Sequence, residues 1–428
     1  MHLPSAGFIL VCVFIALEVP YMLQTTYPVR TDGKVDKWFD EVARVFREIH
    51  EEGLDSGSAF AVYYKGNKVV DLWGGYENVE TGKQWKQNTM SMTFSVTKAM
   101  VALCMAVAVD RGYADYNQRV AHYWPEFSQQ GKGNITIKHV LNHEAGIPMT
   151  TERMTFDIAK DHSHLAHILE TAKPMWPAGT SSGFHFLTYG WLVDQVIRRV
   201  DPMHRSLGQF FHQEIAQPFD IDFYIGVPVN LHQHVADLQS TNTFELFSLH
   251  PLLQSLWSRT WKSLRYEDMA SQTIIKGGDI TWTIYKMNGE EYRSLEIPAF
   301  NGIGSARSIA KLFNILVNGG QYEGKTLVSP KTLINLTTCG EETFDEIILD
   351  TAKWCNGMMS HPVLQEIPMN RLIGHSGFGG QGAYFDLDND LSFAYTTTTL
   401  SPSGFGRDKR YVSLLRATYN SIEKLKSP

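Results

Sequence analysis

The chain has 428 residues, 43% of them hydrophobic, with 10 Trp, 18 Tyr and 23 Phe, which is ample for one large core or two closely packed ones. Its formal net charge is −7 and no basic block stands out, which argues against nucleic acid as a partner. No internal repeat or low-complexity tract interrupts it.

The chain opens on an apolar run from Gly7 to Leu17. That run is short for a membrane span and about right for a signal-peptide h-region. Only His2 adds to the terminal amine ahead of it, and no clean small-x-small cleavage site follows. A cleaved signal or an uncleaved signal anchor is expected, with a mitochondrial or misread leader as the alternative. A signal or anchor would send the domain into the secretory pathway, secreted or attached to a membrane through residues 7–17. Residues 1–34 are read as leader and linker.

From Val35 to about Gly53, Val35, Trp38, Phe39, Val42, Val45, Phe46 and Ile49 recur at helical spacing. The stripe Trp38, Phe39, Phe46 reads as core. Ala59–Tyr64 and Lys68–Trp73, joined by Lys65-Gly66-Asn67, form a hairpin that ends at Gly74-Gly75. Then comes Ser95-Val96-Thr97-Lys98, followed by an unbroken apolar run, Ala99 to Val109, which Asp110-Arg111-Gly112 closes as a helix C-terminus. Residues three apart share a helical face, so the Ser95 hydroxyl and the Lys98 amine can meet. A serine hydroxyl needs a neighbouring base to become a nucleophile. A lysine forced into an apolar site loses basicity and can be that base. The ordinary alternative is Ser95 as an N-cap and Lys98 as a solvated first-turn residue.

Residues 113–165 mix short helices and loops; residues 186–200 read as a helix, and 220–295 show no firm period. Ser305 to Asn318 is an amphipathic helix ended by Gly319-Gly320, Gly382 to Thr399 a second hairpin turning at Asp388-Asn389-Asp390, and Lys409 to Lys424 a terminal helix. Strands near both ends bracket a helical middle. The expected class is α+β, an antiparallel sheet formed from the two chain ends and flanked by helices, with an inserted, mainly helical region. The domain spans 35–425, with 35–150 and 296–425 as its α/β part and 151–295 as the insert.

Of the cysteines Cys12, Cys104, Cys339 and Cys355, only the last two are spaced for a disulfide, and no Cys/His spacing suggests zinc. No cofactor is expected. Asn134-Ile-Thr and Asn335-Leu-Thr are glycosylation sequons, relevant only to a secreted chain.

In this order and spacing the pattern resembles the serine β-lactamase and penicillin-binding-protein superfamily, and within it the class C-type β-lactamase-related proteins, which include esterase-like and animal LACTB-like members. Ser95-Val-Thr-Lys98 matches the first family motif, and Gly374-His375-Ser376-Gly377-Phe378-Gly379-Gly380 the third. Trp73-Gly74-Gly75, Tyr123-Trp-Pro-Glu-Phe127 and His143-Glu-Ala-Gly-Ile-Pro148 support the match. The second motif departs from the family. Between Pro177-Ala-Gly-Thr180 and Tyr189-Gly-Trp-Leu192, Phe184 occupies the position of the family's tyrosine. Phe has no hydroxyl to move a proton.

The resemblance implies a β-lactamase/transpeptidase-like fold and a serine hydrolase working through an acyl-enzyme on an ester or amide. Ser95 is the nucleophile, Lys98 the base, and the N–H groups of Ser95 and Phe378 form the oxyanion hole. His375, Gly377 and Phe184 line the pocket. His185 is a further pocket candidate, read more readily as structural than as a proton shuttle. Asp71, Glu126, His143 and Glu144 are read as structural. The partner is a small-molecule or peptide acyl substrate. The alternatives are a catalytically impaired binding or scaffold protein, which Phe184 would explain, and a LACTB-like peptidase.

Overall fold

The computed structural model describes residues 28–240, 269–281, 284–361, 372–401 and 406–426. The apolar run at 7–17 therefore lies outside the described residues, and among those that are described no helix is long and apolar enough to cross a membrane.

The chain is α+β. Its centre is a nine-stranded antiparallel sheet, to which the strands β1 (Thr31–Val35), β2 (Gly57–Tyr64), β3 (Asn67–Asn78), β4 (Trp354–Cys355), β5 (Met358–Ser360), β6 (Leu372–Ser376), β7 (Gly382–Asp386) and β8 (Leu391–Thr397) contribute in the order β1-β3-β2-β8-β7-β6-β5-β4. Lys83–Gln84 pairs with β3 off this path. The two ends of the chain meet at β2 and β8, where Ala61 lies opposite Ala394. Both hairpins expected from the sequence are present.

Side-chain alternation sorts the sheet into two faces. Phe60, Val62, Leu372, Tyr384 and Phe393 share one buried cluster with Phe46 and Ile49 of helix α1 (Asp40–Glu51) and with Tyr411, Leu414 and Ile422 of the C-terminal helix (Lys409–Lys426). Ala61, Ile373, Ala383, Phe385 and Ala394 face the other way, into the main core. Helix α2 (Val96–Asp110) runs through that core and is buried on every side from Val96 to Ala108. A helix that is apolar all round has no solvent face to offer, so its sequence dictates this central place. Helices α3 (Ile137–Leu141), α4 (Thr188–Val200) and α5 (Ala306–Val317) complete the core. In the inserted region the described residues form short helices, with two-residue strands at Phe223–Tyr224 and Gln239–Ser240.

Three expectations near the N-terminus and in the middle need correction. The sheet begins at Thr31, inside the stretch read as linker. Val35 ends a strand rather than starting a helix, because a short 3-10 turn at Lys37–Phe39 separates the two elements. That turn shifts the helical phase, so Trp38 is 52% exposed while Phe39, Val42, Phe46 and Ile49 are buried. Cys339 and Cys355 form a disulfide, and Cys104 is free and buried.

Arg410 ties the chain ends to the third motif. Its buried guanidinium pairs with Asp408 at 3.0 Å and Asp55 at 3.6 Å, and donates to the Gly379 carbonyl at 3.0 Å.

Candidate active site

Ser95 sits immediately before α2. Its side chain makes no capping bond to the helix, so the hydroxyl is not consumed as an N-cap. The preceding Phe94 has φ +49°, a conformation that costs a bulky side chain energy and that clusters at functional sites. What holds it is packing: the Phe94 ring lies 5.1 Å from Phe300 and 5.5 Å from Phe378. The segment is also stitched to the 300–304 stretch. Thr93 N–H donates to Gly302 O at 2.8 Å, and Gly302 N–H donates to Thr97 Oγ1 at 2.9 Å.

Lys98 lies one turn on, and none of its surface is exposed. Its Nζ is 3.2 Å from Ser95 Oγ, 2.9 Å from Phe186 O and 2.8 Å from Ala299 O. It also sits 4.5 Å from the Phe184 ring centroid, 5.6 Å from that of Phe186 and 6.0 Å from that of Tyr189. Burial without a countercharge pushes the amine well below its ordinary lysine range. The Ala299 carbonyl reaches the amine because Gly190 on α4 has no Cβ; one there would lie 2.4 Å from Ala299 N. Tyr189 donates weakly to the Lys98 carbonyl at 3.4 Å, and burial drives its phenol well above the usual range. It joins α4 to α2 and is not poised as a base.

The second motif brings Phe184, 1% exposed, against the amine. His185 is buried beside it with both ring nitrogens engaged. Nε2 accepts from Ile147 N–H at 3.0 Å and Nδ1 lies 2.6 Å from Gly183 O, which fixes the proton on Nδ1. Burial, together with Lys98, holds its pKa down to about 4, offset in part by the Gly183 bond. So engaged, the ring is anchored in place, which is the structural role expected for it rather than that of a proton shuttle.

The third motif runs along β6. His375 is fully buried, its Nδ1 2.6 Å from Ser376 O and its ring 6.2 Å from Phe184 and 5.9 Å from Trp354. Burial, then Lys98, lowers it to about 3, so it is a neutral imidazole. Ser376 points to the opposite face, where its Oγ lies 2.6 Å from Tyr384 Oη. Gly377 is needed for a close approach, though to protein: a Cβ there would fall 2.3 Å from Thr93 O. This seats the motif against the segment that leads into Ser95. Phe378 is half-buried and stacks edge-on to Phe94.

The structure therefore gathers Ser95, Lys98, Phe184, His185, His375 and Phe378 around one amine. The sequence reading missed four contributors: the backbone carbonyls of Phe186 and Ala299, Trp354 and Asp345. Backbone carbonyls leave no sequence signal. His143, read as structural, also reaches this shell, its ring 4.9 Å from Phe184 and 4.2 Å from Trp354. Among the described residues no group of three His, Cys, Asp or Glu side chains is arranged to hold a metal.

The geometry of a serine and a buried lysine on one helix end, faced by a third-motif strand, defines a class of protein. The chain belongs to the beta-lactamase family, whose model matches residues 42–418. It is 29% identical over 369 residues to the esterase/beta-lactamase LipL of Mycobacterium tuberculosis, which spans 85% of this chain and 82% of that protein. Among solved structures, a family VIII carboxylesterase superposes with a TM-score of 0.80 at 30% identity, over 92% of this chain and 100% of the other. A penicillin-binding protein homologue from Caulobacter crescentus superposes with a TM-score of 0.78 at 29% identity, over 92% and 100%.

Proposed function

We propose that the chain is a serine hydrolase that cleaves uncharged ester or amide substrates through an acyl-enzyme on Ser95. The observation that carries this reading is the environment of Lys98. A neutral amine has two N–H bonds and one lone pair. The carbonyls of Phe186 and Ala299, at 2.9 and 2.8 Å, take the two N–H bonds, which leaves the lone pair for the Ser95 proton at 3.2 Å.

Ser95 Oγ then attacks the substrate carbonyl carbon as its proton passes to Lys98. The oxyanion is met by the N–H groups of Ser95 and Phe378. The new ammonium returns its proton to the departing alcohol or amine, and the carbonyl reforms as the leaving group is expelled. Water attacks the acyl-enzyme with Lys98 again as base, releasing the acid and Ser95. With Phe184 in place of a tyrosine, the lysine carries every proton transfer alone.

Neutral His375 favours an uncharged substrate: it offers no cation to a substrate carboxylate such as a β-lactam or a peptide terminus carries. The names of LipL and of the family VIII carboxylesterase point the same way. The test is turnover of a short activated ester by wild type and by Ser95→Ala. A second reading, a binding protein on an impaired hydrolase fold, is favoured by Phe184 and is separated by the same test: it requires folded protein without turnover.

A secretory location is also proposed. The Cys339–Cys355 disulfide suits an oxidising compartment. Asn134 is exposed, whereas Asn335 is half-buried and its carbonyl holds Asn356 Nδ2 at 2.7 Å. Chain purified from a secreting host should lose the mass of one glycan on N-glycosidase treatment, and Asn134→Gln should abolish that loss; an unglycosylated, reduced chain would contradict the location.

A further inference from the structure

The second motif is gripped from both sides by residues remote in sequence. On one side Asp345, with no exposed surface, accepts three backbone N–H bonds on Oδ1, from Phe184 at 2.9 Å, Ile347 at 2.9 Å and Ile348 at 3.1 Å. The turn it organises is docked further by Glu346 N–H, which donates to Ser182 O at 2.9 Å. On the other side His143, also fully buried, accepts the next N–H in the chain. His185 N–H donates to His143 Nδ1 at 2.9 Å, and Gly183 N–H donates to the His143 carbonyl at 3.0 Å. His143 adopts φ +61° to do so, just past the end of α3. The backbone N–H groups of residues 184 and 185 are thus held by two side chains on opposite flanks.

We infer that Asp345 and His143 are positioning residues that clamp the second motif, fixing the Phe184 ring against the Lys98 amine and shutting water out of that contact. The inference rests on the hydrolase reading and deepens it by naming what keeps the base dry. The Phe184 ring is wedged between the clamp and the amine: its centroid lies 4.5 Å from Lys98 Nζ, 4.9 Å from the His143 ring and 6.0 Å from Trp354. Behind it Ile347, Ile348, Ala352, Trp354 and Met359 form a small apolar cluster of their own. A lysine amine is neutral only while water is excluded, so slack in this wall acts directly on the base.

The arrangement is not an ordinary core contact. His143 Nε2, Asp345 Oδ2 and Ser182 Oγ are buried without a hydrogen-bond partner among the described residues. Leaving such groups unpaired is costly, and an apolar core would avoid them. The titratable groups facing Lys98 are Ser95 at its own helix end, His143 from the loop after α3, His185 from the second motif, Tyr189 from α4 and His375 from β6. The imidazoles are all held neutral by burial, and burial alone accounts for the lowering at Lys98. The clamp therefore acts through solvent exclusion rather than charge.

The test is the pH profile of Ser95 labelling by a fluorophosphonate, read as a second-order rate on the full chain. Asp345→Ala and His143→Ala should each move the midpoint up by at least one pH unit. Labelling near neutral pH should then fall at least tenfold and recover at high pH. Asp345→Asn and His143→Asn, which keep an acceptor oxygen in place, should restore the wild-type midpoint. Phe184→Ala, which removes the ring and spares both clamps, should shift it the same way as the alanine variants. Folded alanine variants with the wild-type midpoint overturn the inference; if they do not fold, an unmoved midpoint in Phe184→Ala does so. Wild type that takes no label at Ser95 overturns the hydrolase reading itself, a result distinct from labelled wild type with unmoved variants.

Discussion

Lys98 Nζ lies 4.5 Å from the centre of the Phe184 ring, at a position where the family places a tyrosine. The base of this site is covered by a hydrocarbon face where relatives carry a hydroxyl. Phe184→Tyr should therefore raise turnover of an activated ester at least tenfold, toward the ~10²–10⁴ that a positioned acid–base group supplies. Steady-state kinetics check this. An unchanged or lower kcat would mean that the hydroxyl has no proton to relay here.

Removing the amine should do the opposite. Lys98→Met fills similar space but leaves Ser95 without a base, and acylation should drop by ~10²–10⁴. Lys98→Arg should be no better, since a guanidinium stays charged and cannot accept the proton. In wild type, labelling should rise with pH through a single midpoint well below the usual lysine value and then level off. No inflection near the ordinary histidine value should appear, because His185 titrates at about 4 and His375 at about 3. Stopped-time labelling across pH 5–10 checks both points.

The same histidines make stability fall in acid. Their folded pKa values lie below the unfolded value, so the unfolded chain binds protons first as pH drops through about 6.5. Stability is fully present above that pH and declines from there down to about 4 for His185 and about 3 for His375, by about 1.4 kcal/mol per pH unit for each group. Thermal unfolding across this range should show a steep loss. His185→Gln should reduce the slope by one proton, and an unchanged slope would mean that His185 is not buried neutral.

The Cys339–Cys355 bond joins the stretch after helix Pro330–Thr337 to β4, where the neighbouring Trp354 packs on Phe184 and His143. Closing a loop of this size is worth about 3 kcal/mol by chain entropy. Replacing both cysteines by serine should lower the denaturant midpoint accordingly and reduce kcat by loosening Trp354. A change in stability with kcat intact would place the bond outside the working site.

The sequence carried the fold and the reacting pair because both rest on strong local signals. The apolar run after Lys98 could be nothing but a buried helix, and that burial is what lowers the amine. The register that put Phe184 at the tyrosine position agrees with its ring lying over the amine. Other features had no such signal. Strand β1, Thr-Asp-Gly-Lys-Val, is a polar, half-exposed edge strand, so its composition reads as a linker. His143 looked structural because its left-handed backbone and its acceptor role at Nδ1 depend on a segment some forty residues away. Asp345 sits in a stretch of no clear period, and its three backbone partners exist only in the folded chain. The carbonyls of Phe186 and Ala299 belong to the backbone and have no residue type to betray them.

The central claim is that Ser95 is a nucleophile served by a neutral Lys98. Intact-mass spectrometry of the folded chain, after incubation with a fluorophosphonate and separately with a short activated ester, tests it most directly. The account predicts one phosphonyl adduct, mapped to Ser95 and lost in Ser95→Ala, together with release of the ester's acid. Folded protein that takes no adduct and turns over no ester would contradict it, and would make Phe184 the mark of a binding protein.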